Sequence, residues 1–170
     1  MAVVDSSVLI PLSKIGRLEL IDKNFDEVVA TDEVYREVVE EGKGRKGTSR
    51  IKESFDGWIS VEGVDDDKAE DMAELEGITK ADASLLLLTE EKGSVLVTND
   101  RALILVARSR ELEYYWLTTL VLKSVKDGHM GKEESKEVLI DLVDAGMNLK
   151  PRVYSKIVKK IDGLRSDICH

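Results

Sequence analysis

The sequence has little of the chemistry that stabilises secreted or membrane proteins. Its single cysteine, Cys169, excludes a disulfide within the chain, and a lone thiol fits a reducing compartment. Its apolar runs, such as Leu85–Leu88, are far too short to cross a bilayer. No basic segment precedes the first apolar residues, as a secretion signal requires. We therefore expect a cytoplasmic protein with no membrane partner.

Proline is also scarce, with two residues in 170, and the composition of 42% hydrophobic and 35% charged residues differs from that of disordered chains. A chain of this length fits one compact domain with its own core. We see no internal repeat, low-complexity stretch or linker. The sequence predicts a single domain over residues 1–170, with a core over about residues 1–120 and C-terminal helices over about residues 118–165.

Positive charge is in deficit, because 25 basic residues face 34 acidic ones and the net charge is −9. This balance argues against partners attracted by overall charge, such as bulk nucleic acid or anionic lipid. Net charge conceals local fields, however, and bound cations neutralise acids that cluster around them. The acidity therefore lowers the expectation of a nucleic-acid partner without excluding it.

Short apolar runs that stop at polar residues alternate with segments of helical periodicity. This alternation predicts an α/β fold with a central parallel sheet flanked by helices in three layers, and a helical C-terminal tail. Gly42 to Lys52 is predicted as an exposed basic loop merging into a short helix. The predicted strands are Met1–Val4, Phe25–Ala30, Trp58–Val61 at an edge, Ser94–Val97 and Glu113–Leu117. The predicted helices are Val8–Ile15 after a Ser7 cap, Leu18–Ile21, Asp32–Glu41, Asp65–Glu76, a Thr79-capped helix to Lys92, Arg101–Arg110, Thr118–Lys126, Lys132–Ala145 and Pro151–Ile161.

Two of the predicted strands are followed by an aspartate, Asp5 after the first and Asp100 after the strand that ends at Val97. Ligands of open parallel sheets bind outside the carboxyl ends of the strands, so we expect these two side chains to be neighbours. Either aspartate alone has an equally good explanation as a helix cap. The pair is more informative, because two adjacent carboxylates repel each other unless a cation compensates them.

Two further acids have alternative explanations. Asp82 lies in the first turn of its helix, where the helix dipole stabilises an acid, but the following Leu85–Leu88 run indicates that this turn packs against the sheet. Glu37 lies beside the apolar pair Val34 and Val38, where it is either a solvated charge or an inward-pointing ligand.

In order and placement, these four acids resemble the motifs of the PIN-domain nucleases. The motifs are Val3-Val4-Asp5-Ser6-Ser7, Val34-Tyr35-Arg36-Glu37-Val38, Ala81-Asp82-Ala83 and Val97-Thr98-Asn99-Asp100-Arg101. The resemblance implies a ribonuclease that uses Mg²⁺ or Mn²⁺, with Asp5, Glu37, Asp82 and Asp100 as metal-binding and catalytic carboxylates. It also implies that Ser6 and Thr98 are hydroxyl neighbours that order ligands or water. Oxygen ligands suit these hard cations.

The helical tail from Thr118 is similar to that of a prokaryotic, toxin-like subgroup of PIN proteins, which implies a small antitoxin partner and a homodimer. The chain departs from many relatives in reading Leu117-Thr118-Thr119 where they have a Gly-Thr pair after the last strand. An additional acid near the fourth position, present in some relatives, has no counterpart here. The number of metal ions therefore stays open.

Other functions are weighed beside this one. A non-cleaving PIN module that binds RNA or an antitoxin is the alternative from a different class. A haloacid-dehalogenase-like phosphatase needs a second aspartate two residues after the first, where this chain has Ser7, and a receiver domain needs an acidic pair on its first loop. The basic loop residues Lys43, Arg45 and Lys46 are either RNA phosphate contacts or plain solvated charges.

Overall fold

The computed structural model describes residues 1–165, so Cys169 lies outside the described residues. Five parallel strands form one sheet in the order β3-β2-β1-β4-β5. The strands are β1 Ala2–Val4, β2 Val28–Thr31, β3 Ile59–Glu62, β4 Val95–Val97 and β5 Tyr114–Tyr115. The predicted α/β class with a central parallel sheet is confirmed, and β3 lies at an edge as expected.

Helices flank this sheet, and their order in the chain follows the predicted alternation with strands. They are α1 Ser6–Lys14, α2 Glu19–Asp22, α3 Asp32–Tyr35, α4 Thr48–Gly57, α5 Asp66–Glu76, α6 Lys80–Lys92, α7 Arg101–Ser109, α8 Leu117–Lys126, α9 Lys132–Asp144 and α10 Pro151–Gly163. A π-helical turn, Arg36–Glu40, continues directly from α3. None of the helices within residues 1–165 combines the length and apolarity needed to span a bilayer.

Strand β1 is the buried centre of the sheet. Ala2, Val3 and Val4 are fully buried, since β2 and β4 cover both edges of the strand and helices cover its faces. Helix α6 packs across β1, β2 and β4. Its Leu85–Leu88 run is buried throughout. This packing fixes the start of α6 relative to the carboxyl ends of the central strands.

Among the boundaries that differ from the prediction, three have clear local reasons. Ser7 does not cap α1, because the helix begins at Ser6, two residues before the predicted start at Val8, and Asp5 occupies the N-cap position. The second strand begins only at Val28, and Thr31, which closes it, also caps α3 by accepting from Val34 N. The predicted strand over Glu113–Leu117 shortens to two residues, because Leu117 already opens α8.

Packing around α6 yields a test of the core. Leu86→Ala removes a fully buried side chain and should lower the free energy of unfolding by about 2–5 kcal/mol. Leu105→Ala on α7, where 55% of the side chain is exposed, should change it by no more than about 0.5 kcal/mol. Urea denaturation of both variants checks the difference. Equal effects would contradict the assignment of α6 to the core.

Candidate active site

Two aspartates leave the carboxyl edges of neighbouring strands. β1 and β4 pair with Val4 opposite Val97, and the backbone N–H of Asp5 donates to the Val97 carbonyl at 3.1 Å. Asp100 follows three residues after Val97 and caps the next helix. The parallel register therefore brings Asp5 and Asp100 to the same edge of the sheet, as sequence reasoning expected of these strands.

Asp5 occupies the N-cap position of α1, but its carboxylate makes no capping hydrogen bond. Instead, its Oδ2 accepts hydrogen bonds from Ser7 Oγ at 2.6 Å and from Thr98 Oγ1 at 2.8 Å. The side chain is buried, with 8% exposed. The capping explanation therefore does not account for this carboxylate, which is held by one hydroxyl from the first turn of α1 and one from the residue after β4.

The two hydroxyls are themselves fixed by the backbone after β4. Ser7 Oγ accepts from Asn99 N at 2.8 Å, and Thr98 Oγ1 accepts from Asp100 N at 3.1 Å. The hydroxyl oxygens lie 3.2 Å apart. Because each oxygen already accepts an N–H, its own hydrogen is available to donate to Asp5. This arrangement locks the Asp5 side chain to the β4 loop.

Sequence reasoning named Ser6 and Thr98 as the hydroxyl neighbours and missed Ser7. Ser6 Oγ reaches Asp5 Oδ1 at 3.4 Å, at the outer limit of a hydrogen bond, whereas Ser7 makes the shortest contact to this carboxylate. The error follows from assigning Ser7 to the helix cap. Ser7 lies two residues after Asp5 in the sequence, and this close spacing was the signal that could have revealed the contact.

Asp100 does act as a helix cap. Its Oδ1 accepts from Ala102 N at 2.8 Å and from Leu103 N at 3.2 Å, satisfying two free N–H groups at the start of α7. Both bonds use the same oxygen. Within residues 1–165, Oδ2 accepts none, so capping and participation in a polar site are compatible for this residue.

Asp82 lies at the start of α6, where the charges of Asp100 and Asp5 act on its carboxylate. Its carboxylate accepts from Thr79 Oγ1 at 2.8 Å, and Thr79 caps the helix by accepting from Asp82 N at 3.1 Å. The pKa of Asp82 is raised first by burial and then by the charges of Asp100 and Asp5, against the lowering effect of Thr79. Three aspartates from distant parts of the chain thus share one electrostatic neighbourhood.

No positive side chain within residues 1–165 forms an ion pair with Asp5, Glu37, Asp82 or Asp100. Their oxygen donors and uncompensated charge fit a hard divalent cation. In the same part of the chain, no three His, Cys, Asp or Glu side chains stand close enough to hold one ion together. Mg²⁺ is usually held by one or two carboxylates, with water and substrate phosphates completing its shell, so its binding does not require three acids around one ion.

Glu37 differs from the three aspartates in its local structure. It lies in the π-helical turn, a rare element that often occurs at functional sites, and its side chain is exposed. Its neighbour Glu33, one turn earlier on α3, instead accepts a hydrogen bond from the buried Ser84 of α6 at 2.9 Å. The structure therefore links α3 to α6 through Glu33, a contact that sequence reasoning missed, while the role of Glu37 stays a prediction.

The predicted basic loop residues Lys43, Arg45 and Lys46 are exposed in the segment between the π-helical turn and α4. None of the three forms an ion pair within the described residues. Their exposure agrees with both readings of this loop, and contact with RNA stays a prediction.

Comparison with known proteins relates this chain to a family. The family model DUF3368, described as a PIN domain, matches residues 1–163. The crystal structure of PAE2754 from Pyrobaculum aerophilum is similar with a TM-score of 0.55 and 22% sequence identity, over 73% of this chain and 89% of that one. At this identity the likeness shows a shared fold alone. No curated protein matches the chain.

Crowding of negative charge predicts that Asp82 lowers stability. Because its pKa is raised in the folded state, its contribution to stability is present below its ordinary pKa and is lost as pH rises through the raised value. Asp82→Asn removes the charge and should raise the melting temperature at neutral pH in the presence of EDTA. The gain should shrink as the pH is lowered into the acidic range.

The matched control is Asp71→Asn, which removes one negative charge from an exposed position of α5. It should leave the melting temperature close to that of the wild type. Melting curves across pH measure both variants, and an Asp82→Asn protein that melts below the wild type at neutral pH would contradict the charge argument.

Proposed function

The chain belongs to the PIN-domain family, whose members are generally nucleases, and on this premise we propose that it is a metal-dependent ribonuclease that hydrolyses RNA phosphodiester bonds. One observation supports this proposal above the others. Burial, followed by the charges of Asp100 and Asp5, raises the pKa of Asp82, and no positive side chain within residues 1–165 forms an ion pair with these three acids. Such a cluster is unfavourable for folding, and a bound divalent cation offsets the repulsion.

Asp5, Asp82 and Asp100 are the proposed metal ligands, with Mg²⁺ or Mn²⁺ as the ion. Asp5 is the proposed shared ligand, because its Oδ2 is held by two hydroxyls while Oδ1 has only the long contact to Ser6. When bound, the ion supplies the positive charge that attracts the RNA phosphate and favours loss of a proton from the attacking water. No three acids within residues 1–165 stand close enough to hold one ion together, so each ion would take one or two of these carboxylates and water would complete its shell.

The remaining residues position these ligands. Ser7 and Thr98 keep Asp5 in one rotamer, and the Asp100 cap ties that carboxylate to the start of α7. Glu37 is proposed to orient the attacking water. It lies in a turn whose π-helical geometry differs from that of a regular helix. Ser6 is proposed to order ligands near Asp5 Oδ1.

A toxin role with a small antitoxin partner, and assembly as a homodimer, are finer proposals. Exposed apolar side chains on α9 and α10 support a docking surface in the helical tail, namely Ile140, Val143 and Val153, of which 49%, 40% and 42% are exposed. A small DNA-binding-protein gene next to this one would support the toxin role. An isolated gene would favour RNA processing.

Replacing Asp5 tests the proposed chemistry directly. Asp5→Asn keeps the shape of the side chain but removes its charge, so we expect Mn²⁺-dependent RNA cleavage to fall by more than about 100-fold while the fold is retained. A fluorescent RNA substrate measures cleavage, and calorimetry measures the affinity for Mn²⁺. Full activity in a folded Asp5→Asn protein, compared with Asp71→Asn, would rule out this mechanism, whereas a wild type that cuts no RNA would favour the non-cleaving alternative.

The hydroxyl lock on Asp5 gives a second prediction. Ser7→Ala removes the 2.6 Å hydrogen bond and should reduce the affinity for Mn²⁺ by roughly 10–100-fold, as loss of an outer-shell partner of a metal ligand does. Ser109→Ala is the control, since it removes a hydroxyl from an exposed position at the end of α7. The lock is unsupported if calorimetry shows that the two variants bind Mn²⁺ equally well.

A further inference from the structure

A small polar pocket lies beside Asp5. It is formed between α1, the segment after β4 and the loop that joins α9 to α10, and it encloses about 220 Å³. Ser7, Lys14, Asn99 and Asn148 supply its polar groups, and its other lining residues are apolar or glycine. Among the described residues that line it, Lys14 alone bears a formal charge. The pocket therefore offers one cation and two amides next to a strongly acidic site.

Ser7 joins the pocket to the carboxylate site. It forms part of the pocket wall, and its hydroxyl donates to Asp5 Oδ2 at 2.6 Å. Asn99 also lines the pocket, and its backbone N–H donates to the same Ser7 oxygen at 2.8 Å. A ligand in the pocket is thus separated from Asp5 by a single side chain.

The outer wall is a built loop, held at both ends. Met147 is buried, and its N–H donates to the Leu142 carbonyl at 2.9 Å, which closes the end of α9. Gly146 adopts φ +107°, a backbone conformation open to glycine and strained for other residues. Pro151 begins α10 shortly afterwards. These anchors fix the position of Asn148 between two helices.

Lys14 is available for a ligand. It forms no ion pair within residues 1–165, although the chain has an excess of acids. A lysine ammonium recognises phosphate as a point charge, and a side-chain amide presents both a donor and an acceptor to the edge of a base. Proteins that read single-stranded RNA use such contacts to unstacked bases.

We propose that this pocket binds one nucleotide adjacent to the scissile phosphate and gives the enzyme a base preference. Lys14 contacts a flanking phosphate, and the amides of Asn99 and Asn148 read the base edge. The volume, below the range of drug-sized ligand pockets, suits one nucleotide rather than a longer segment. The inference rests on the proposed ribonuclease function and assigns to the helical tail a part in choosing the cleavage site.

The test uses the full chain, Mn²⁺ and a pool of short single-stranded RNAs of random sequence, with cleavage sites identified by sequencing. Asn148→Ala should flatten the base preference at one position, with kcat and the affinity for Mn²⁺ unchanged. Lys14→Ala should raise KM roughly tenfold for all sequences, because a phosphate contact carries no sequence information. Lys159→Ala, which removes the same charge from an exposed position of α10, should leave the base preference and KM unchanged.

A second measurement is independent of cleavage. In an Asp82→Asn background that cannot cut, fluorescence anisotropy of labelled RNA should show weaker binding when Lys14→Ala is added, and no change when Lys159→Ala is added. If the wild type cuts RNA and both pocket variants keep its KM and cleavage pattern, the pocket inference is wrong and the ribonuclease proposal stands. If the wild type cuts no RNA and the Asp82→Asn protein binds none, both are overturned.

Discussion

Parallel pairing of β1 with β4 brings Asp5 and Asp100 to one edge of the sheet, and the docking of α6 across the central strands adds Asp82 to the same field. Burial of the Asp82 carboxylate costs free energy, and repulsion from the charges of Asp100 and Asp5 adds to that cost. A fold does not need this arrangement for its stability. The protein therefore maintains an electrostatically unfavourable group of acids, which is a property common at functional sites.

Different local hydrogen bonds hold the three aspartates in place. Asp5 is held by two hydroxyl donors, whose own oxygens are fixed by backbone N–H groups after β4. Asp100 uses one carboxylate oxygen as a helix cap. Asp82 and Thr79 bond each other at the start of α6. Capping and function are thus not competing explanations here, because a carboxylate has two oxygens and a cap occupies one of them.

The C-terminal helices have a structural link to this site. The loop between α9 and α10 forms a pocket with α1 and Asn99. Ser7, whose hydroxyl donates to Asp5, is one of the residues that line this pocket. The family match extends over these helices as far as residue 163. We therefore expect an insertion or deletion in this loop to alter the surroundings of the carboxylates without changing a carboxylate, because the pocket and the carboxylate site share the wall formed by α1.

The sequence by itself determined the α/β alternation, the buried central strand and the strand-end positions of Asp5 and Asp100, because short-range polarity patterns specify elements and parallel strands share one edge. It located α6 closely through its Thr79 cap and leucine run. Only the tertiary structure decided that Ser7 holds Asp5, that Glu33 rather than Glu37 bonds α6, and that the tail loop reaches Asn99. Ser84 and Glu33 lie 51 positions apart, so their contact follows from how the helices dock rather than from a local pattern. Ser7 lies only two residues from Asp5, but its oxygen is fixed by the backbone N–H of Asn99, 92 positions away, and the tail loop meets Asn99 only across packed elements.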